Sequence, residues 1–458
     1  MSLGGAMNSG VSGLQSFSTS MGVIGNNLAN TNTAGFKASR SLFSDLIPDV
    51  VAGSGGVSQV GRGSNLAVVD DIFTQGSIES TASNLDLAIE GEGFFMVRNP
   101  DSQANNFTRA GAFRLDQEGF LINPEGYVLQ GYERLPGGQF ADLTGDIRIN
   151  TRSSVPGEAS TQVDLTTNLD ANSRIIPDPD DPEEAIAFDP DDPVGTSNFA
   201  TTSEIYDSLG ETHLVSTYFR KTDQNEWAFH QTVPGADLEG DYEEGEIVEV
   251  GRGLLDFDTS GILENIRVAN SLDDDPDWND ADTFNTIDPE DGDWPTITTI
   301  PDGLTWNNGS DTEASLDYRL NITQFSTESR VVTQQTDGFS SGYLTDVAVD
   351  QEGIITGTYS NGETRDLSRL ALGKFSNNNG LEKIGNNLYS ATRSSGPADI
   401  GTPGAGFGRI FSNSLEQSTV DIAEEFTKMI TTQRSFQANS KTITSTDEML
   451  QEVINMKR

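Results

Sequence analysis

The sequence predicts a mixed, mainly β protein. Its two ends are α-helices that pair as an inner coiled coil, next to a β-rich inner domain with a large acidic β-rich outer domain inserted into it. Three observations lead to this fold class. Apolar residues recur with heptad spacing at both ends of the 458-residue chain, as in helices that bury one seam. The same turn sequence, Asp-Gln-Glu-Gly, occurs on each side of the middle, and most of the negative charge lies between the two copies.

The N-terminal helix is predicted from apolar residues spaced four and three apart. The stripe consists of Leu3, Met7, Leu14, Phe17, Met21, Ile24 and Leu28, with Gly10 at the remaining heptad position. Six glycines interrupt this segment, and each weakens a helix by about 1 kcal/mol relative to alanine. We therefore expect the helix to form only where partners cover it, and the glycines to let those partners approach closely. The turn-forming residues at 30–35 end the helix.

The C-terminal helix is predicted from apolar residues seven apart. They are Leu415, Ile422, Met429, Phe436, Ile443 and Leu450, and a second row runs from Phe426 to Ile454 through polar positions. Ser414 and Gln417 fit a capping box, which predicts a helix start near residue 415. Glycine and proline are absent from 415–455. One face is thus apolar and the neighbouring face polar, which suits a helix that packs against neighbours and borders an aqueous space.

Short alternating segments and turn signals predict the β domain on both sides of the middle. Residues 94–97 have the apolar character of a buried strand. The turn at 116–119 separates two strand-like segments, and the turn at 350–353 repeats this arrangement in the second half. Asn361-Gly362 is among the strongest short hairpin signals. The repeated hairpin suggests that the two flanks form one domain and that the middle is an insertion.

The chain is expected to comprise four regions. They are an inner helical assembly domain (1–30 with 414–458), a linker or long hairpin (31–70 with 401–413), an inner β domain (71–150 with 331–400) and an acidic outer β domain (151–330) of one subdomain or two. Residues 151–330 contain 41 acidic and 8 basic residues, so they carry −33 of the net charge of −44. The two helical ends are close to neutral, as surfaces that pack would be.

This charge excludes several classes of partner. Nucleic-acid binding requires basic residues that neutralise phosphates, and an acidic chain is also repelled by anionic lipid. No apolar run approaches transmembrane length, so we expect no membrane insertion. The acidic runs at 273–277 and 288–293 are the best candidates for calcium ligands. Neither has the regular alternation of an EF-hand loop, and we expect no metal site.

Candidate catalytic groups are nearly absent. The chain has no cysteine and only two histidines, His213 and His230, both in strand-like segments. We interpret both histidines as structural, because no companion motif supports a metal-binding or general-base role. The segment 91–93 lacks the third glycine of a dinucleotide-binding loop. The sequence thus predicts no catalytic residue, no cofactor and no enzyme activity.

Two long motifs at opposite ends resemble the signatures of the bacterial flagellar rod and hook family. The first spans 24–37 and the second spans 429–441. The positions that carry the resemblance are Asn26, Asn27, Asn30, Thr33, Gly35, Phe36 and Lys37 in the first, and Gln433, Arg434, Asn439 and Ser440 in the second. Segments 107–111 and 116–126 are similar to the inner β domain of that family. The acidic middle carries no such resemblance.

The resemblance implies a structural subunit of the flagellar hook, because rod members of the family lack so large an insertion. It implies an extracellular homopolymer, a short curved tube that acts as a universal joint between rod and filament. The implied partners are the flagellar rod, the hook cap, the hook–filament junction proteins and the type III export apparatus. A distal rod subunit of the same family and a calcium-binding extracellular adhesin are the alternatives.

Overall fold

The chain folds into two compact units, which we call the terminal unit and the middle unit. In the computed structural model the terminal unit comprises Met1–Thr151, Thr345–Thr358 and Thr364–Arg458, and the middle unit comprises Arg152–Leu344 and Tyr359–Glu363. The structure describes residues 3–53, 56–135, 137–150, 154–179, 185–243, 245–270, 283–287, 296–299, 305–310, 316–404 and 406–456. Strands account for 45% and helices for 17%, and the two terminal helices pack together, which confirms the predicted fold class.

The N-terminal part of the terminal unit consists of one helix and twelve strands. They are α1 (Leu3–Ala29), β1 (Ser39–Asp45), β2 (Asp49–Gly53), β3 (Gly56–Val60), β4 (Ser64–Asp71), β5 (Ile78–Ser80), β6 (Leu87–Glu90), β7 (Phe94–Arg98), β8 (Asn105–Thr108), β9 (Arg114–Leu115), β10 (Leu121–Ile122), β11 (Val128–Glu133) and β12 (Gly145–Asp146). β1 pairs antiparallel with β4, and β2 pairs with β3. These four strands therefore form one long hairpin directly after α1.

The middle unit is built from two β-sheets that share a hydrophobic core. Its strands are β13 (Ser154–Val155), β14 (Gln162–Asp170), β15 (Phe199–Tyr206), β16 (Thr212–Asp223), β17 (Glu226–Pro234), β18 (Ile247–Phe257), β19 (Leu263–Ala269), β20 (Phe284–Ile287), β21 (Thr296–Thr299), β22 (Leu316–Phe325) and β23 (Arg330–Thr336). One sheet has the order β21-β22-β14-β23 and the other runs from β15 to β20 in sequence order, whereas β13 belongs to neither and pairs with Gly342 and Tyr343. Trp227 and Phe219 of the larger sheet belong to the same buried cluster as Tyr318 and Leu165 of the smaller one.

The chain then returns to the terminal unit and ends in the long helix. The remaining elements are β24 (Gly342–Val349), β25 (Ile354–Tyr359), β26 (Thr364–Leu370), β27 (Leu372–Lys374), β28 (Glu382–Gly385), β29 (Leu388–Ser390), β30 (Asp399–Gly401), β31 (Arg409–Ser412), β32 (Ser414–Glu416) and α2 (Ile422–Met456). At a rise of ~1.5 Å per residue, the 35 residues of α2 span roughly 50 Å.

Strands from both sides of the middle lie in one sheet of the terminal unit. Its strand order is β25-β26-β11-β7-β8-β29-β28, and Gly131 of β11 is paired with Leu370 of β26. Aromatic side chains fill the space beside β7, where the rings of Phe107 and Phe375 meet edge to face at 4.7 Å. Segments that precede and follow the middle of the chain therefore form one sheet.

The two predicted turns have the same hydrogen-bond geometry. Asp116 Oδ1 accepts bonds from the backbone N–H groups of residues 118 and 120 at 2.9 and 2.8 Å. Asp350 Oδ1 accepts the equivalent pair at 2.9 and 2.8 Å. Both turns end in a glycine with positive φ, 86° at Gly119 and 75° at Gly353, a backbone conformation that glycine adopts without strain. The repeated hairpin is therefore confirmed at the level of individual bonds.

The predicted start of the C-terminal helix is wrong. Ser414–Glu416 form strand β32, which pairs with β5 so that Leu415 lies opposite Glu79. Leu415 is therefore a strand residue and does not belong to the helical seam. α2 begins at Ile422, after Asp421, whose Oδ1 accepts bonds from the N–H groups of residues 423 and 424 at 2.8 and 3.0 Å. The aspartate caps the helix and places negative charge at its positive end, while strand pairing already occupies the backbone of 414–416.

Candidate assembly site

Helices α1 and α2 pack side by side and run in opposite directions. A Cβ atom added to Gly10 would lie 2.9 Å from Ile443 Cγ1, and one added to Gly13 would lie 2.9 Å from the Asn439 side chain. Towards the other end of α1, Asn27 Nδ2 donates a 3.2 Å hydrogen bond to Glu425 Oε2. The close approach that the glycines predict is confirmed at Gly10 and Gly13.

The contact between the two helices is made mostly of small and polar residues. The buried positions of α1 are Gly10, Gly13, Ser16, Ser20, Ile24 and Asn27, and those of α2 are Glu425, Thr432 and Thr446. In α1 they recur every three or four residues, and in α2 they are seven and fourteen residues apart, so on each helix they lie on one face. Of the predicted apolar stripes, Ile24 is among these buried positions and Ile443 faces Gly10; the other buried positions are small or polar.

The larger apolar side chains of α2 face solvent instead. Ile422, Phe426 and Ile430 are 49%, 51% and 51% exposed. They are four residues apart and therefore lie on one side of the helix, and we call them the outer row. Further along, Phe436 and Met449 are 38% and 54% exposed. A helix of an ordinary globular protein has the opposite pattern, with its apolar face buried.

The predicted seam residues are therefore divided between two environments. In α1, Ile24 is buried, Leu14, Phe17, Met21 and Leu28 are half-buried, and Met7 is exposed; the side chain of Leu3 lies outside the described part. In α2, Met429, Ile443 and Leu450 are half-buried, and Ile422, Phe426, Phe436 and Ile454 are exposed. A strict seven-residue repeat falls short of two full helical turns and drifts around a straight helix. Ile443 faces Gly10 of α1, whereas Ile422 is 49% exposed.

The N-terminal signature residues form a compact turn below α1. Asn27 is buried, and its side chain pairs with the Ser39 backbone, accepting from N–H at 3.0 Å and donating to the carbonyl oxygen at 2.8 Å. Gly35 has φ 71°, and a Cβ there would lie 2.6 Å from backbone atoms of Arg109 and Ala110. Phe36 and Lys37 are buried. Glycine is thus the residue that fits at 35.

The remaining signature residues are spread over exposed and half-buried positions. Asn30 Nδ2 donates to the Asn26 carbonyl oxygen at 2.9 Å, and Thr33 Oγ1 donates to Asn30 Oδ1 at 3.1 Å. In the second signature Gln433 and Arg434 are exposed, and Asn439 and Ser440 are half-buried. Asn439 is the residue that faces Gly13.

Beneath this turn, Lys37, Arg109 and Glu416 form a buried cluster of charges. The Glu416 side chain is fully buried, and the side chains of Lys37 and Arg109 are 2% and 8% exposed. Lys37 Nζ donates to Glu416 Oε1 at 2.6 Å, and Arg109 Nη1 donates to Oε2 at 3.3 Å. The N–H of Gly76 adds a bond of 2.8 Å to Oε1. One carboxylate therefore joins the first signature, the β domain and the segment before α2.

Burial disfavours the charged forms of the two basic residues in this cluster. Loss of solvation lowers the pKa of Lys37 and of Arg109 below their usual values, although the negative charge of Glu416 acts in the opposite direction. The attraction within a buried ion pair is largely offset by the desolvation of its charges, whereas removal of one member is strongly destabilising because the other charge stays buried without a partner. The sequence prediction included Lys37 and missed Glu416 and Arg109. Lys37 is the first charged residue of the chain. This charge could have predicted that the lysine pairs with an acidic residue from elsewhere in the chain.

Models of flagellar protein families match most of the chain. The flagella basal body rod protein model matches residues 7–37, and the flagellar hook protein FlgE/F/G D1 domain matches 88–167. The flagellar basal body protein FlaE D2 domain matches 168–339, and the flagellar basal body rod FlgEFG protein C-terminal model matches 412–456. The matched segments follow one another from the first helix to the last.

Full-length relatives decide the family. The flagellar hook protein FlgE of Treponema pallidum is 35% identical over 98% of this chain and 99% of its own length. That of Borreliella burgdorferi is 35% identical over 98% of both chains. That of Escherichia coli is 30% identical over 99% of this chain and all of its own. The chain belongs to the flagellar hook protein FlgE family. It is a structural subunit of the hook, as the resemblance implied.

In this hook protein both histidines lie in strands, and each is stacked on an aromatic side chain. His213 of β16 is stacked on Trp306 with ring centroids 3.8 Å apart, and its Nε2 lies 3.3 Å from Asp207 Oδ2. His230 of β17 is stacked on Phe188 at 4.2 Å, and its Nδ1 lies 2.6 Å from Glu249 Oε1. The two rings thus hold the loop residues Phe188 and Trp306 against the larger sheet of the middle unit, and Glu249 pairs with His230 from the neighbouring strand β18.

We expect the middle unit of the hook protein to lose stability as the pH falls below about 6.5, the usual pKa of histidine. Burial lowers the pKa of His230, although Glu249 opposes this, and Arg220 and Arg252 lower it further. Between the two pKa values, His230 therefore binds a proton in the unfolded chain but not in the folded chain. The stability of the folded state is full above the pKa that His230 has in the unfolded chain, and it is lost as the pH falls towards the lower pKa of the folded chain.

Tryptophan fluorescence measures this effect selectively, because all four tryptophans of the chain lie in the middle unit. The loss of urea resistance between pH 7.5 and pH ~5.5 should be smaller in His230→Gln than in the unmodified chain. The acidic residues titrate in both proteins, so the difference isolates His230. Equal pH slopes in the two proteins would contradict the assignment.

The glycines of α1 provide a second prediction. Gly10→Ala places a methyl group against Ile443 and should destabilise the helix pair by about 1–3 kcal/mol. Gly22→Ala is the matched control, since no atom lies within 4 Å of the added Cβ, and it should raise helix stability by about 0.5–1 kcal/mol. Thermal unfolding followed by circular dichroism at 222 nm measures both. Equal stabilisation by the two substitutions would show that the close contact at Gly10 is absent.

The described residues contain neither a metal-binding cluster nor a membrane helix. No group of three or more potential ligand side chains in this part of the chain could hold a metal ion. Neither helix is long and apolar enough to cross a bilayer, as far as the described residues extend. The two calcium candidates, 273–277 and 288–293, lie outside the described residues, so that prediction stays untested.

Proposed function

We propose that the hook protein polymerises through its terminal helices into a curved extracellular tube that couples rod to filament as a universal joint. The observation that carries this proposal is the outer row of α2. Its three large apolar side chains are about half exposed in the single chain, while polar Thr432 and Thr446 occupy the buried face. Exposed apolar surface of this kind is typical of a protein–protein interface.

The neutral character of the ends supports the same proposal. α1 has no acidic or basic residue between Leu3 and Ala29, so its packing against other subunits needs no charge to be desolvated. We assign the strongly charged residues 151–330 to an outer domain, where hydrated contacts can slide as the tube bends. We assign residues 1–30 and 414–458 to the assembly core, with the region boundaries as predicted from the sequence.

The further roles follow from membership of the hook family. As partners we propose the flagellar rod, the hook cap, the hook–filament junction proteins and the type III export apparatus, with no enzyme activity in the subunit itself. The second candidate within the family is a distal rod subunit, which the match of residues 7–37 to a rod-protein model favours. A calcium-dependent adhesin is the candidate from another class.

Polymerisation of the purified chain tests these candidates together. Raising the protein concentration should convert a slowly sedimenting species into tubes that electron microscopy shows to be curved. Straight tubes would favour the distal rod instead. A chain that stays monomeric at every concentration and takes up calcium in calorimetry would contradict the proposal and favour the adhesin.

A further inference from the structure

We propose that the outer row of one subunit docks onto the glycine-bearing face of α1 in a neighbouring copy of the same chain. This inference rests on the proposed function, since it names the partner surface within the polymer. The face in question consists of Ser18, Gly22, Gly25 and Ala29, which we call the α1 groove. Its members are spaced four, three and four apart, so they line one side of the helix.

The α1 groove has no contact within the described chain that accounts for its glycines. A Cβ added to Gly22 or Gly25 would meet no atom within 4 Å, whereas one added to Gly10 or Gly13 would lie 2.9 Å from α2. Ser18, Gly22 and Ala29 are exposed. Glycine weakens a helix, and close approach of another group is what offsets this cost. The shallow, uncharged surface therefore fits large apolar side chains supplied by another chain.

The groove and the outer row lie at the same height along the helix pair. The bond between Asn27 and Glu425 fixes the level at one end, and the contact of Gly13 with Asn439 fixes it at the other. The helices are antiparallel, so five residues before Asn27 in α1 correspond to five residues after Glu425 in α2. Gly22 is therefore level with Ile430. Phe426 lies close to the level of Gly25 by the same count.

Because the α1 groove and the outer row are level along the helix pair, we infer that two neighbouring subunits make this contact side by side. In this contact the outer row of one subunit binds the α1 groove of the next, so the two surfaces are different. The first subunit still has a free groove and the second a free outer row. The contact can therefore repeat from subunit to subunit and produce rings or helical tubes. Contact of the outer row with itself would instead close a two-fold dimer and stop growth. The tube that we propose requires the first kind of interface.

Cysteine cross-linking tests this contact directly, because the chain has no cysteine of its own. Two single-cysteine chains, Gly25→Cys and Phe426→Cys, are mixed, polymerised and oxidised. We expect a disulfide-linked heterodimer from the mixture and no dimer from either chain alone. Glu424→Cys replaces Phe426→Cys in the matched control, since Glu424 is exposed on a different side of α2 and should give no heterodimer with Gly25→Cys.

The outcomes separate this inference from the proposed function. Polymer without a heterodimer, or homodimers of the Phe426→Cys chain, would overturn the groove-and-row contact and leave polymerisation intact. Failure of the unmodified chain to polymerise would overturn the proposed function itself.

A size exchange provides the second test should the cysteine chains fail to assemble. Gly25→Leu fills the groove and should raise the critical concentration for polymerisation about tenfold or more. Adding Phe426→Ala to the same chain makes room for the leucine and should restore growth. Unchanged assembly of Gly25→Leu, or no rescue in a double variant of normal helix content, would contradict the contact.

Discussion

Substitution of Glu416 by leucine is expected to lower the free energy of unfolding of the terminal unit by about 3–5 kcal/mol, the cost of removing one member of a buried ion pair. The change leaves Lys37 and Arg109 buried without their carboxylate, and it removes the acceptor of the Gly76 N–H. Because β32 carries Glu416 and pairs with β5, both the first signature turn and the segment leading to α2 should loosen.

Urea unfolding followed at 222 nm reports this loss, since both helices belong to the terminal unit. Tryptophan fluorescence reports the middle unit and should not change. Glu424→Leu is the matched control: its side chain is 65% exposed, and its removal should alter stability by no more than about 0.5 kcal/mol. Lys37→Met in addition to Glu416→Leu should recover part of the loss, because it removes one unpaired charge. Equal losses in the variant and the control would refute the role of the cluster.

The second large effect is expected at the outer row. The double substitution Phe426→Ser, Ile430→Ser should raise the critical concentration for polymerisation about a hundredfold or more, because large apolar residues at an interface centre each contribute about 2 kcal/mol. The monomer should keep its helix content, since both side chains are about half exposed in the single chain. Sedimentation of the assembled fraction gives the critical concentration.

Gln437→Ser is the matched control for the double variant, because Gln437 is a polar exposed residue of the same helix. It should polymerise as the unmodified chain does. Polymerisation of the double variant at the normal concentration would place the assembly contact elsewhere. Loss of helix content in the unassembled double variant would show that the outer row is needed within the chain.

Much of the fold could be predicted because its signals are local. The turn at 116–119 depends on one aspartate, one glycine and their spacing, and the same motif is legible at 350–353. A third copy at 258–261, where Asp258 Oδ1 accepts two backbone bonds and Gly261 has φ 83°, was missed in the middle unit. Its sequence, Asp-Thr-Ser-Gly, shares only the first and last residues with the Asp-Gln-Glu-Gly turns, and further acidic residues lie on both sides of it.

The candidate site was predicted only in part because its critical contacts join distant segments. The pairing of Glu416 with Lys37 connects residues 379 positions apart, and no periodicity reveals it. The capping-box interpretation of Ser414 failed for the same reason, since pairing with β5 outcompeted a local helix start. The heptad stripes located both helices, except that the C-terminal stripe began at Leu415, which lies in strand β32. They did not reveal that glycine, serine and threonine would form the contact between them.

Electron microscopy of basal bodies from a strain that lacks the gene for this chain tests the central claim most directly. If the chain is the hook subunit, basal bodies should end at the rod without a hook, and the gene supplied in trans should restore curved hooks of normal length. Intact hooks in the deletion strain would contradict the assignment.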